Sequence, residues 1–134
     1  EIMLLVIIIT IKQNNILLPI IFFSAVIEEL IRNLPLLVAV REKQVSLPKA
    51  IGYAFAVGFG FFAAEKLLLL LSIAPFAQAY HVLQLGYLIA PLLLHCLLGV
   101  LFVVILRQTK SAVFANSIAI LAHTLINYTF FSAL

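Results

Sequence analysis

The sequence predicts an all-α fold, a polytopic bundle of about five transmembrane helices forming a single domain over residues 1–134. Three observations predict it. The chain is 66% hydrophobic and only 10% charged, whereas a soluble domain covers its surface with about a quarter charged residues. Three long stretches exceed the roughly 18 apolar residues that mark a spanning helix. No strand-like alternation, internal repeat or low-complexity tract interrupts them.

The elements follow from hydrophobic length. Ile2–Ile11 opens the chain, about 15 Å of helix and too short to span alone. Its shortness, and Glu1 in place of Met, point to residues missing upstream or internally near residue 12. The polar tetrad Lys12-Gln13-Asn14-Asn15 precedes a second run, Ile16–Val40, which holds Glu28, Glu29, Arg32 and Asn33 and where Pro35 is expected to kink or end the helix. Arg41–Lys49 is the most charged connection. Ala50–Ala74 is the third run and contains Glu65 and Lys66. Pro75–Leu85, with His81, reads as an interfacial link. Gly86–Leu106 contains His95, and a short turn, Arg107-Gln108-Thr109-Lys110, leads into Ser111–Leu134 with Asn116, His123 and Asn127.

Charge sets the orientation. The connections 41–49 and 107–110 hold Arg41, Lys43, Lys49, Arg107 and Lys110, against Lys12 alone on the other side. The positive-inside rule places these connections in the cytoplasm. The net charge of +3 is therefore a membrane signature, and no nucleic-acid partner is expected. The lone Cys96 lies in an apolar run and offers neither a disulfide nor a thiolate zinc site.

Ionisable residues interrupt this apolar background at similar depths. With a rise of about 1.5 Å per residue, Glu28 lies about 18 Å from either end of its segment. Glu65 lies about 22 and 14 Å from its ends, His95 about 14 Å in and His123 about 18 Å in. In a hydrocarbon core about 30 Å thick, all four fall in the middle third, on four helices. A charge there costs from about 3 to over 10 kcal/mol, so convergence on a shared polar cavity is the economical reading. Glu28 and Arg32 share a face at i, i+4 with Glu29 about 100° away, and His123 pairs similarly with Asn127. Phe61 shares a face with Glu65. The stripe Gly52, Ala56, Gly60, Ala64 is expected to bring a neighbouring helix close to Glu65, as Gly99 is one turn beyond His95. Asn116 reads as a helix–helix hydrogen bond, Cys96 as packing and His81 as solvated.

Two carboxylates and two imidazoles can activate a water in two ways. A bound metal ion can lower its pKa, with Zn²⁺ taking Glu and His ligands. Alternatively a glutamate is the general base and no metal is needed, with His and Asn donating to the oxyanion. Residue types alone leave both open.

In order, Glu28-Glu29-x-x-Arg32, Phe61-x-x-x-Glu65, His95 and His123-x-x-x-Asn127 resemble the motifs of the PrsW family of intramembrane proteases. That family shows a Glu-Glu-x-x-Lys motif, a Phe-x-x-x-Glu motif in a Gly-rich helix, and later His motifs. It is similar to the wider superfamily of CAAX-processing and bacteriocin-immunity membrane proteases and to the APH subunit of γ-secretase. The resemblance covers about residues 24–128. Arg32 stands where the family has Lys, and Glu65 stands where the CAAX branch has His, which draws the match toward PrsW. The resemblance implies peptide-bond hydrolysis in or beside the plasma membrane of a prokaryote, on a membrane-protein or membrane-associated peptide. Glu28 or Glu29 would be base or ligand, with Arg32 and Asn127 in the same motifs. Glu65, His95 and His123 would fill the remaining positions and form the ligand set if zinc is bound. The non-catalytic alternative is a scaffold or immunity protein that binds peptides or a partner membrane protein. A small ion or metal transporter is the third possibility, because intramembrane acids and imidazoles also mark ion pathways.

Overall fold

A computed structural model describes residues 16–42, 45–73 and 85–132. Four helices fill them: α1 (Leu17–Glu42), α2 (Leu47–Ile73), α3 (Leu85–Thr109) and α4 (Ala112–Ser132). The expected five are one more than the described residues contain. The segment Ile2–Ile11, the tetrad 12–15, Lys43 and His81 lie outside the described residues.

Three helices are long and apolar enough to cross a membrane, over Leu47–Leu68, Leu88–Thr109 and Ala112–Phe130. α1 has the length, at 26 residues, but carries Glu28, Glu29 and Arg32 in its middle. The surface is that of a membrane protein. Phe23, Leu34, Leu68, Leu71, Val113 and Leu125 are each more than 60% exposed, while Glu29, Arg32, Asn33, His95 and His123 are buried. In water this would be inside-out. In lipid it removes from the apolar medium the groups that are costly there.

Helix ends depart from the sequence expectation where local chemistry extends them. Pro35 does not stop α1, which runs on to Glu42, and Pro91 sits inside α3 in the same way. Neighbouring helices tolerate a proline that an isolated helix would not. Arg107, Gln108 and Thr109 are helical rather than a turn. The break comes at Lys110, whose φ of 59° is left-handed and whose N–H donates to the Leu106 carbonyl at 2.8 Å. Ser111 then caps α4, its Oγ accepting from the Phe114 N–H at 3.2 Å. Arg41 and Arg107 stand in the last turns of α1 and α3, where cations complement the helix dipole.

The helices run around the bundle in chain order. α2 packs most extensively on α3, α4 spans α1 and α3, and α1 touches each of the others. Leu36, Val40, Ala50, Ala54, Phe102, Val103, Leu106 and Ala115 form an apolar core at the end where the basic connections meet. That meeting is direct: Arg41 Nη2 donates to the Lys110 carbonyl at 3.1 Å.

The close approach of α2 and α3 uses a different stripe from the expected one. Gly52, Ala56, Gly60 and Ala64 are exposed, and a Cβ on Gly52 or Gly60 would meet nothing within 4 Å. The contact stripe is Ala50, Ala54 and Gly58. A Cβ on Gly58 would lie 2.8 Å from the Cys96 Cα and backbone N. The expectation for Gly99 holds, because its Cβ would sit 3.2 Å from the Ala54 carbonyl oxygen. Both stripes have four-residue spacing, so spacing alone did not choose between them.

Candidate functional site

Measured from the basic end, Glu29, Glu65, His95 and His123 stand about 16 to 27 Å along their helices. They come from four helices, and the structure links them into one chain of polar contacts.

The centre of that chain is an ion pair on α1. Arg32 donates through Nη2 to Glu29 Oε2, with both side chains 0% exposed. The partner of Arg32 is thus Glu29 at i, i+3, and not Glu28 at i, i+4. Either spacing puts two side chains on neighbouring positions of a helix face, and burial decides, because Glu29 and Arg32 point into the bundle while Glu28 sits on its flank. Asn33 Nδ2, one turn from Glu29, donates to the same Oε2 at 3.1 Å. It also donates to Asn116 Oδ1 on α4 at 3.0 Å, the helix–helix bond expected of Asn116.

Each imidazole is held between this inner frame and an outer carboxylate. His123 Nδ1 lies 2.8 Å from Glu29 Oε1, and its Nε2 lies 3.7 Å from Glu28 Oε2. A carboxylate only accepts, so Nδ1 donates to Glu29, and Nε2 is turned toward Glu28. His95 is wired the other way round. Its Nδ1 lies 3.3 Å from Arg32 Nη1, and a guanidinium only donates. Nδ1 is then the acceptor, and Nε2 donates to Glu65 Oε2 at 2.9 Å. These tautomers are assigned from the partners. The rings stand edge to face, with centroids 5.9 Å apart, and Phe61 packs beside His95 at 5.1 Å.

The outer carboxylates reach the bundle surface. Glu28 is 29% exposed and Glu65 39%. Ser24 donates to Glu28 Oε1 at 2.6 Å, and Lys66 Nζ donates to Glu65 Oε1 at 2.7 Å. The sequence of contacts is therefore Glu28, His123, Glu29, Arg32, His95, Glu65, Lys66, crossing from one flank of the bundle through its centre to another.

Six of the seven residues expected at the site are in this chain: Glu28, Glu29, Arg32, Glu65, His95 and His123. Asn127, one turn beyond His123, is half-buried and makes no hydrogen bond with a described member. Sequence reasoning passed over Asn33, Ser24 and Lys66 as members. The first two were within its reach: Asn33 is four residues after Glu29 and Ser24 four before Glu28. Lys66, next to Glu65 in the chain, enters through its bond to that carboxylate.

Glu65, His95 and His123 do not converge on a common centre for zinc in this arrangement. Among the described residues no three His, Cys, Asp or Glu side chains form a group able to hold a metal ion. The cation between Glu29 and His95 is the Arg32 guanidinium. The two Arg32 bonds engage one nitrogen of His95 and one carboxylate oxygen of Glu29, so a metal centre here would need rearrangement of the inner frame.

The framework has two unpaired atoms, Arg32 Nε and Asn33 Oδ1, both buried. A low-dielectric interior strengthens each bond of such a network and raises the cost of each missing one. Comparison of the chain with protein-family models, characterised proteins and solved structures finds no match.

Proposed function

We propose that the chain is an intramembrane peptidase that hydrolyses a membrane-protein or membrane-associated peptide with a water activated by glutamate and histidine. One observation carries the reading: each imidazole is fixed by a buried partner on one nitrogen and offers the other to a half-exposed carboxylate. A purely structural ion pair would require neither the second pair of carboxylates nor their position at the bundle surface.

The Glu28–His123 side is the candidate base. The 3.7 Å separation of Glu28 Oε2 and His123 Nε2 is too long for a direct hydrogen bond and suits a water shared by both. Attack of that water on a peptide carbonyl transfers its proton to Glu28 or His123. Collapse of the tetrahedral adduct breaks the C–N bond and returns the proton to the leaving nitrogen. Glu29 keeps His123 in the tautomer this needs. His95, Glu65 and Lys66 stand on the other flank of the bundle, joined to His123 through Glu29 and Arg32. This version needs no metal. A multi-pass topology, a prokaryotic plasma membrane and a cytoplasmic position for the basic end belong to the same proposal, and the charge distribution supports the last of these.

The test is cleavage of a membrane-tethered reporter by purified, reconstituted protein. Glu28→Gln, Glu65→Gln and His123→Gln should each lower the rate by about 10² or more, with the helical circular dichroism unchanged. Undiminished cleavage by all three variants would end the proposal.

A second reading draws on a different feature, the near-complete internal pairing of the cluster. A scaffold or immunity protein built around a fixed polar core would bind a partner membrane protein or peptide without turnover. Hydrolysis by the purified wild type alone eliminates it. The unbroken run of titratable groups also suits a proton or metal conduit, for which flux into liposomes is the corresponding measurement.

A further inference from the structure

The basic end of the bundle carries a feature that the buried cluster does not use. Arg41, Arg107 and Lys110 converge with the Ser46 hydroxyl on a recess of about 490 Å³, walled on its apolar side by Val40, Val45 and Leu106. The volume lies within the range of ligand sites. No carboxylate is among the described side chains that line it. The helix dipole and the positive-inside rule each account for a basic residue at this end. Neither requires three cations from two connections to face one recess.

The recess is also held in shape. Arg41 Nη2 is tied to the Lys110 carbonyl at 3.1 Å, which joins the α1 end to the α3–α4 turn. Lys110 adopts its left-handed φ of 59° at a position where Gly or Asn is usual.

We propose that this recess binds the phosphate of an anionic phospholipid. The phosphate oxygens would take the donors of Arg41, Arg107, Lys110 and Ser46, and the glycerol and upper acyl chain would lie on Val40, Val45 and Leu106. Guanidinium groups suit phosphate because they donate in a planar fork. The apolar wall distinguishes a lipid from a soluble phosphate, which would gain nothing from it. The inference is independent of the peptidase reading.

Native mass spectrometry of delipidated protein in neutral detergent tests it, with phosphatidylglycerol or phosphatidylcholine added. One phosphatidylglycerol should bind about tenfold or more tightly than phosphatidylcholine. Arg41→Gln and Arg107→Gln should each weaken that binding about tenfold, equivalent to about 1.4 kcal/mol, while Arg41→Lys loses less. Lys49→Gln, at the same end but outside the recess, should change it by less than about twofold. Equal binding of the two lipids overturns the proposal, as does an equal effect of Lys49→Gln. Inorganic phosphate or glycerol phosphate displacing the lipid at comparable concentration would also overturn it, because the site would then be one for free phosphate. The lipid comparison and the displacement use wild-type protein, so they decide the matter even if a glutamine variant fails to fold.

Discussion

Removing the guanidinium of Arg32 should be the most damaging single change in the bundle. Arg32→Met leaves a side chain of similar length but strips Glu29 of its counter-charge at a position with 0% exposure. Glu29 would keep Asn33 and His123 as partners. An uncompensated buried charge costs about 3–5 kcal/mol, and the retained bonds place the expected loss toward the lower figure. Replacing both members, Glu29→Met with Arg32→Met, removes the charge along with its partner. Buried pairs exchanged for apolar residues are often neutral, so the double variant should recover most of the loss, within about 1–2 kcal/mol of wild type. The assay is reversible unfolding in mixed micelles, read by far-ultraviolet circular dichroism and treated as a double-mutant cycle. If Arg32→Met costs less than about 1 kcal/mol, or the double variant is no better than the single, Arg32 is not the centre of the network.

Three further outcomes follow from the geometry. Gly58→Ala should destabilise the bundle by about 1–3 kcal/mol, because its Cβ meets the Cys96 backbone at 2.8 Å, whereas Gly60→Ala should be neutral or stabilising by up to about 1 kcal/mol; equal effects in the same unfolding assay would contradict the packing of α2 on α3. Asn127→Ala should leave reporter cleavage within a few-fold of wild type, unlike His123→Gln, and a loss as large as that of His123→Gln would place Asn127 at the reacting centre. Elemental analysis of protein purified in detergent without chelator should find less than stoichiometric zinc; one zinc per chain, lost in Glu65→Ala, would show that the inner frame rearranges around a metal.

Hydrophobic length by itself determined that this chain is helical and suited to lipid. A continuous apolar run has to satisfy its backbone internally once water is absent, and a helix does this without knowledge of its neighbours. The same reasoning put Glu28, Glu65, His95 and His123 at similar depths, because helical rise turns sequence position into height. It could not give azimuth with the same certainty. Residues at i+3 and i+4 lie on one face to within a few tens of degrees, so whether Arg32 met Glu28 or Glu29 depended on where α3 and α4 stand. The choice between Gly52-Ala56-Gly60-Ala64 and Ala50-Ala54-Gly58 had the same cause, since each is a possible contact stripe until a partner helix occupies one. Tertiary packing therefore decided what one sequence has no means to encode locally. It made Glu29 the buried anchor, left Glu28 and Glu65 at the surface, and put a guanidinium between Glu29 and His95.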